Sequence, residues 1–331
     1  MISQPEPGLH LDVPNAASES RADWLEARKR YIGGSDAAAI MGLSPWATPV
    51  ELWLEKTGQK QKAVPDPIRE KMFARGKKLE PFIIEMAIDK LRERGHAVEL
   101  IATNRRHVDP EHEFLSCEID MELSIDGELV NGDAKSVHGF ARRKWGEEDT
   151  EEIPVEYAAQ FMHGLMITGR SRCLVAALIG LDDVAIYWLN RDDETIAAMR
   201  EKEIAFWNDC VLGGVMPDPM VFNDIKILFP LDNGLAIEAS AEIAEKVKQL
   251  SEIKAQIKTW EESEEALKFE IAEFISPNSR LTFNGKEIAS WKGQEDTRLD
   301  QPSFKAAFPE LFVKFSNTKT VRVLRLKKAK Q

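Results

Sequence analysis

Cysteine is almost absent: Cys117, Cys173 and Cys210 are the only three in 331 residues, far apart and without a CxxC. A disulfide framework and a single-chain four-cysteine zinc or iron–sulfur site are thereby excluded, and a reducing compartment is expected. The six histidines show no tight ligand spacing, so any metal should be a hard cation held by oxygen. No run approaches the roughly 20 apolar residues of a membrane helix, so no membrane partner is expected. Residues 1–20 lack the basic start and apolar run of a secretory signal and read as a disordered leader of a cytoplasmic protein. The net charge of −12 argues against a chain that coats nucleic acid by bulk electrostatics, but it leaves room for a basic groove.

What is present is 43% hydrophobic and 30% charged, enough for two units with a sizeable core. From Arg21 the chain reads as helix, Gly33-Gly34 turn, helix, Ser44-Pro45 turn, helix, with Ser35 or Asp36 as a cap. A longer helix is expected over 67–94, its apolar positions at helical spacing, ended by Gly95. The period then falls to two: 96–108, 113–125 and 127–137 predict strands, with Asp126-Gly127 as a hairpin turn. Residues 154–169 return to helix, 172–180 and 183–190 form a second hairpin, and 192–214 a further helix. An α/β core of about 200 residues, 21–220, results.

Residues 221–235 read as a linker, and 236–331 as a C-terminal helical arm with a small α+β tail. In the arm, apolar residues from Ile243 to Phe274 recur at 3- and 4-residue steps, as in a coiled-coil seam. An intrachain arm is expected there rather than an oligomer zipper. A hairpin is expected at Asn284-Gly285.

Residues i and i+2 of a strand share a face, so in "NGDAKSV" Asp133 and Lys135 point together while Gly132 and Ala134 face the other way. Pairing across Asp126-Gly127 sets Asp120 nearly opposite Asp133. Two carboxylates that close repel unless a cation separates them, and helical Glu80 is placed to join them. Two readings stay open on this geometry: a metal site, or ordinary strand acids paired with Lys135 and nearby arginines. Trp46 and Trp53 read as core rather than base-stacking platforms.

The ordered segments Arg28, "IGGSDAAAIMGLSPWATPVELWLEKTG", "RGKKLEPF", "LSCEIDMEL", "NGDAKS" and "IPVEYAAQ" resemble the YqaJ-type phage recombinases. That group is similar to phage lambda exonuclease and belongs to the PD-(D/E)xK nuclease superfamily. The resemblance spans about Trp24 to Pro217 and implies a restriction-endonuclease-like core, a mixed central sheet flanked by helices. It also implies two Mg²⁺ ions, with Mn²⁺ as a substitute, on Asp120, Asp133, the Ala134 carbonyl and Glu80. Lys135 would position or deprotonate the water, and Gln160 would complete the catalytic set. Arg28 and Ser35 would bind the 5′-terminal phosphate, with Tyr157, Arg142, Arg143 and Lys144 as further DNA contacts. For the last three a solvated loop is an equal alternative.

The implied activity is 5′→3′ digestion of linear double-stranded DNA in a bacterial host, leaving 3′ single strands for annealing. The implied partners are DNA ends, further copies of the chain in a ring such as a trimer, and a phage single-strand annealing protein. The alternatives are a metal-dependent endonuclease of the same superfamily, and a DNA-binding assembly protein with a vestigial site. Two departures stand out: the second acid is Asp133 where many relatives carry glutamate, and Asn131-Gly132 replaces an apolar lead-in.

Overall fold

The computed structural model describes residues 26–59, 66–180, 183–318 and 320–327. The expected leader at 1–20 and most of the first helix lie outside the described residues. The chain divides after Ile225 into two compact units.

In the first unit a 3₁₀ turn at Arg28–Arg30 precedes α1 (Gly34–Ile40), α2 (Pro49–Lys56) and α3 (Pro67–Glu93). Strands β1 (Val98–Val108), β2 (Ser116–Ile125) and β3 (Glu128–Val137) form a meander. Helix α4 (Val155–Thr168) then crosses over to β4 (Arg172–Ile179), followed by β5 (Val184–Asn190) and α5 (Asp193–Ala205), which continues as a π-helical segment over Phe206–Leu212. The sheet order is β1-β2-β3-β4-β5. Only β3 and β4 run parallel; the other pairs are antiparallel. A parallel pair needs a crossover that packs on one face, and α4 provides it directly beside the strand that carries Asp133.

Local chemistry explains these elements. Thr48 caps α2, its side chain accepting the Glu51 N–H, with Pro49 at the first helical position. At Asp126-Gly127 both residues have positive φ, 53° and 87°, as a two-residue hairpin turn of the twisted-strand-compatible type requires. The cap of α1 differs from expectation. Gly33 is the cap residue, and Asp36, at the third helical position, reaches back to accept the Gly33 N–H at 3.0 Å. Asp36 also meets two cations, so it takes the reciprocal half of the cap instead of the leading one.

One face of the sheet is dry. Ile83, Ile84, Ala87 and Leu91 of α3 pack on Met121, Leu123, Val130, Leu174 and Ile186, with Ala134 against the same cluster. Each such aliphatic side chain fully buried contributes about 1.5–3 kcal/mol. The small Gly132 and Ala134 thus sit on the α3 side, as the alternation predicts, and Asp133 and Lys135 point to the α4 side. Trp53 is core, donating its indole N–H to the Cys210 carbonyl at 2.8 Å. Trp46 is not: it is 58% exposed.

Within the stretch expected as a linker, Phe222–Leu228 forms a helix, α6. The second unit holds α7 (Ala241–Ile275), the hairpin β6 (Arg280–Phe283) and β7 (Lys286–Ser290), and α8 (Gln301–Ala307) and α9 (Pro309–Phe315). The expected Asn284-Gly285 turn closes that hairpin, with φ of 49° and 75°. Among the described residues no helix is long and apolar enough to cross a membrane.

Candidate active site

The β2–β3 ladder pairs Met121 with Gly132, so one residue further along Asp120 and Asp133 stand side by side, as the turn predicts. The Ala134 N–H donates to Asp120 Oδ2 at 3.0 Å. Burial, and after it the charge of Asp133, holds the Asp120 carboxyl well above the usual carboxylate range. Lys135 Nζ forms an ion pair with Asp133 Oδ1. Burial opposes the lysine's charge, but Asp133 and Asp120 outweigh it and hold the ammonium above its ordinary value. Gln160, on α4, donates from Nε2 to Asp133 Oδ2 at 3.3 Å. Asp133 Oδ1 is buried and, beyond its ion contact, accepts no hydrogen bond of good geometry.

The lead-in to Asp133 is built for this place. A Cβ at Gly132 would fall 2.4 Å from Met121 Cγ, so only glycine lets β3 lie this close to β2. Asn131 is buried and bridges strand to helix: it donates to Thr168 Oγ1 at 3.0 Å and accepts from Arg170 Nη1 at 2.8 Å. Arg170 also pairs with the buried Glu122 at 3.1 Å, beside Arg105 and His107. This polar network fixes the sheet face directly next to the acids.

The donor set fits a hard divalent cation. Two carboxylates crowded enough to push the Asp120 carboxyl well above its ordinary range are relieved by a cation at oxygen ligands. Among the described residues no group of three or more acidic, histidine or cysteine ligands is assembled. The oxygen ligands this geometry brings together are the Asp120 and Asp133 carboxylates, and a Mg²⁺ site commonly takes its remaining positions from water and substrate oxygens.

Glu80 does not join this contact. It lies half-buried on α3, which packs on the opposite face of the sheet, and acts on Asp120 and Glu118 as a neighbouring like charge. Pro81 follows it and removes one helical N–H at that turn. Glu118 itself escaped the sequence reading. It shares a face with Asp120, two residues away on β2, and lies among Lys77, Glu80, Arg106 and Arg28. Period-two alternation was the signal that could have found it.

Arg28 and Ser35 come together as expected: Arg28 Nη2 donates to Ser35 Oγ at 2.8 Å and to Asp36 Oδ1 at 2.5 Å. Behind them, the fully buried Lys56 ammonium donates to Asp36 Oδ2, to the Arg28 carbonyl and to the Tyr31 carbonyl, each within 2.7 Å. Burial disfavours the Asp36 charge, yet Arg28 and Lys56 hold its carboxyl below the usual range. Asp36 and Lys56 thus orient Arg28, a role that needs the fold to see. Gly34 seats this segment on α4, since a Cβ there would lie 3.1 Å from the Gln160 carbonyl.

Tyr157 lies over the site, with Lys135 Nζ 5.4 Å from its ring centroid and 5.2 Å from that of Phe161. Arg142 is engaged elsewhere, its Nη1 donating to the Trp145 and Gly146 carbonyls at 2.7 and 2.8 Å. Arg143 and Lys144 are exposed on the same 3₁₀ turn, Gly139–Lys144. The acidic stretch after them is partly neutralised: Glu148 pairs with Lys90 and Arg94, and Asp149 with Arg94.

Residues 23–171 match the YqaJ-like viral recombinase domain. The chain is 32% identical over 308 residues to the uncharacterized protein YqaJ of Bacillus subtilis (strain 168), covering 89% of this chain and 90% of that protein. Among solved structures it is similar to LHK-Exo, an alkaline exonuclease from Laribacter hongkongensis solved with dAMP, at 18% identity and a TM-score of 0.41, over 58% of this chain and 93% of that one. A phage-related exonuclease from Haemophilus somnus 129PT matches at 14% identity and a TM-score of 0.38, over 56% of this chain and 96% of that one.

Proposed function

The chain belongs to the YqaJ-like viral recombinase family, and from that premise we propose that it is a Mg²⁺-dependent deoxyribonuclease digesting linear duplex DNA from the 5′ end. The observation that carries this reading is the side-by-side Asp120–Asp133 pair, Asp133 buried and Asp120 half-buried, with Lys135 bound to one of its oxygens. Such a group is costly to fold unless it serves chemistry on a charged substrate.

In this reading Asp120, Asp133 and the Ala134 carbonyl hold the cation. Bound there, it supplies Lewis-acid polarisation of the scissile phosphate and stabilisation of the leaving 3′ oxygen. Lys135 acts as a fixed positive charge, because its two acidic neighbours keep it protonated; it orients the attacking water and offsets charge building on the phosphate. Gln160 fixes the Asp133 rotamer. Glu80 acts at a distance, through charge and water, rather than as a ligand in contact. Arg28 and Ser35 receive a terminal phosphate, since a guanidinium suits phosphate oxygens. An anchored end explains removal of nucleotides from termini, and the product strands with 3′ tails would pass to an annealing protein.

A plasmid assay tests the reading. Linear plasmid should be degraded with Mg²⁺ and spared with EDTA, while closed circles persist. Linearisation of closed circles would point to an endonuclease, and intact DNA under all conditions to an assembly protein.

A further inference from the structure

Trp46 is the one tryptophan of the first unit's described residues that the core leaves more than half uncovered, at 58% exposure. Its position is fixed: the N–H groups of Trp46 and Ala47 both donate to Ser44 Oγ, at 3.1 and 3.2 Å, and Thr48 begins α2 immediately after. Its indole meets the Tyr157 ring at a centroid distance of 5.7 Å and 42°. Tyr157 in turn covers Lys135. Trp46 is thus one aromatic ring removed from the lysine of the candidate site, with its outer surface in solvent. It also belongs to the same short stretch of chain as Arg28 and Ser35. An exposed indole held rigidly against an aromatic neighbour presents a flat apolar face, and nucleobases are the flat partners a DNA end brings to such a place.

We propose that Trp46 is a stacking platform for a nucleobase of the strand held at the Asp120–Asp133–Lys135 site, with Tyr157 as its inner support. The inference rests on the nuclease reading. Stacking is indifferent to base identity, so the platform would take any nucleotide and grip unpaired bases more firmly than paired ones.

The test uses the full chain in Ca²⁺ without Mg²⁺, and a 5′-phosphorylated duplex with 2-aminopurine near that end. Wild type, Trp46→Ala and Trp46→Phe are compared for affinity by anisotropy and for quenching of the probe. Loss of about tenfold in affinity and of the quenching in Trp46→Ala, both kept in Trp46→Phe, is the result expected. Equal affinity and quenching in wild type and Trp46→Ala would overturn the platform and leave the nuclease reading standing. A folded wild type that binds no DNA end would overturn both.

A separate observation concerns the second unit. In α7 positions 243, 250, 257, 264 and 271 and positions 246, 253, 260, 267 and 274 form one unbroken heptad seam of five repeats, apolar except at Lys246 and Glu264. Most of its apolar members are exposed, Leu250 being half-buried; Ile253 is 52% exposed, Trp260 75% and Phe274 77%. A parallel pair of such helices would stack Lys246 on Lys246 and Glu264 on Glu264. An antiparallel pair sets Lys246 against Ile271 and Glu264 against Ile253, and brings Lys254 of one copy beside Glu261 of the other. We infer that α7 joins two copies of the chain as an antiparallel coiled coil. Sedimentation of the full chain should show Ile257→Lys at half the wild-type mass; equal masses would overturn the inference. In a Cys210→Ser background, bis-maleimide should link Lys254→Cys chains to Glu261→Cys chains, and failure to link them would overturn the antiparallel arrangement.

Discussion

Asp120 accepts the main-chain N–H of Ala134 at 3.0 Å, so the acid of one strand is locked to the residue between the acid and the lysine of the next. The lock holds two carboxylates together in spite of their charge. Removing one charge should therefore have opposite effects with and without metal. Asp120→Asn is expected to melt no lower than wild type in EDTA, because the repulsion is gone. It should lose most of the rise in Tm that Mg²⁺ gives the wild type. A calorimetric scan of both proteins with and without Mg²⁺ reads this directly; an undiminished Mg²⁺ shift in Asp120→Asn would remove Asp120 from the ligand set.

Lys135→Ala should lower cleavage by at least about 100-fold, within the range of losing a charge aimed at the transition state. Far-ultraviolet circular dichroism and DNA binding should stay close to wild type, since the site retains Asp120, Asp133 and Gln160. Near-wild-type rates would exclude Lys135 from the chemistry.

Arg28→Ala should slow digestion of 5′-phosphorylated ends much more than of 5′-hydroxyl ends. The guanidinium is presented by Ser35 and Asp36, with Lys56 behind, so Lys56→Met should reproduce part of the same loss. Equal slowing on both kinds of end would show that Arg28 is not the anchor.

Gly132→Ala should destabilise the fold by about 1–3 kcal/mol, the usual cost of overpacking. The added Cβ would meet Met121 Cγ at 2.4 Å and the Met121 carbonyl at 3.0 Å. Denaturant unfolding measures this, and an unchanged midpoint would mean that β2 and β3 separate more easily than the packing indicates.

Glu122, in the polar network beside the acids, gives a pH signature in stability. Burial disfavours its charge, but the hydrogen bond from His107 and the charge of Arg170 lower its pKa from 4.5 to about 2. A folded-state pKa below the unfolded one adds stability above pH 4.5, and that stability is lost as pH falls toward 2. At about 1.4 kcal/mol for each pH unit, the contribution is about 3 kcal/mol at neutral pH. Glu122→Gln should trail wild type by about this much at pH 7, and the gap should close as pH falls from 4.5 toward 2. A gap unchanged over that range would show that the carboxylate's charge is not what matters.

The strand register was legible because a two-residue turn leaves one pairing, and because small residues on one side of β3 and charged residues on the other allow one orientation. The Arg28–Ser35 pair was visible through resemblance alone, since Asp36 and Lys56, which orient Arg28, come together only when α1 and α2 pack. Asn131-Gly132 looked anomalous for a strand beside a core. The fold accounts for both residues: glycine admits Met121, and the asparagine joins a polar network completed by Arg170, 39 residues further on. Trp46 misled for a related reason. An aromatic residue between two helices usually packs inward, but here the Ser44 hydroxyl fixes the turn with the indole facing out. Glu80 is assigned to the site by motif alone; in the fold it lies on α3 as a neighbouring like charge of Asp120 and Glu118.

The central claim is that Asp120, Asp133 and Lys135 hydrolyse DNA from an anchored 5′ end. It is tested most directly by incubating linear duplexes, labelled at either end and carrying a 5′-phosphate or 5′-hydroxyl, with Mg²⁺ or with EDTA. The account predicts Mg²⁺-dependent release of mononucleotides beginning at the phosphorylated 5′ end, abolished in Lys135→Ala. Internal fragments, release from the 3′ end first, or digestion in EDTA would contradict it.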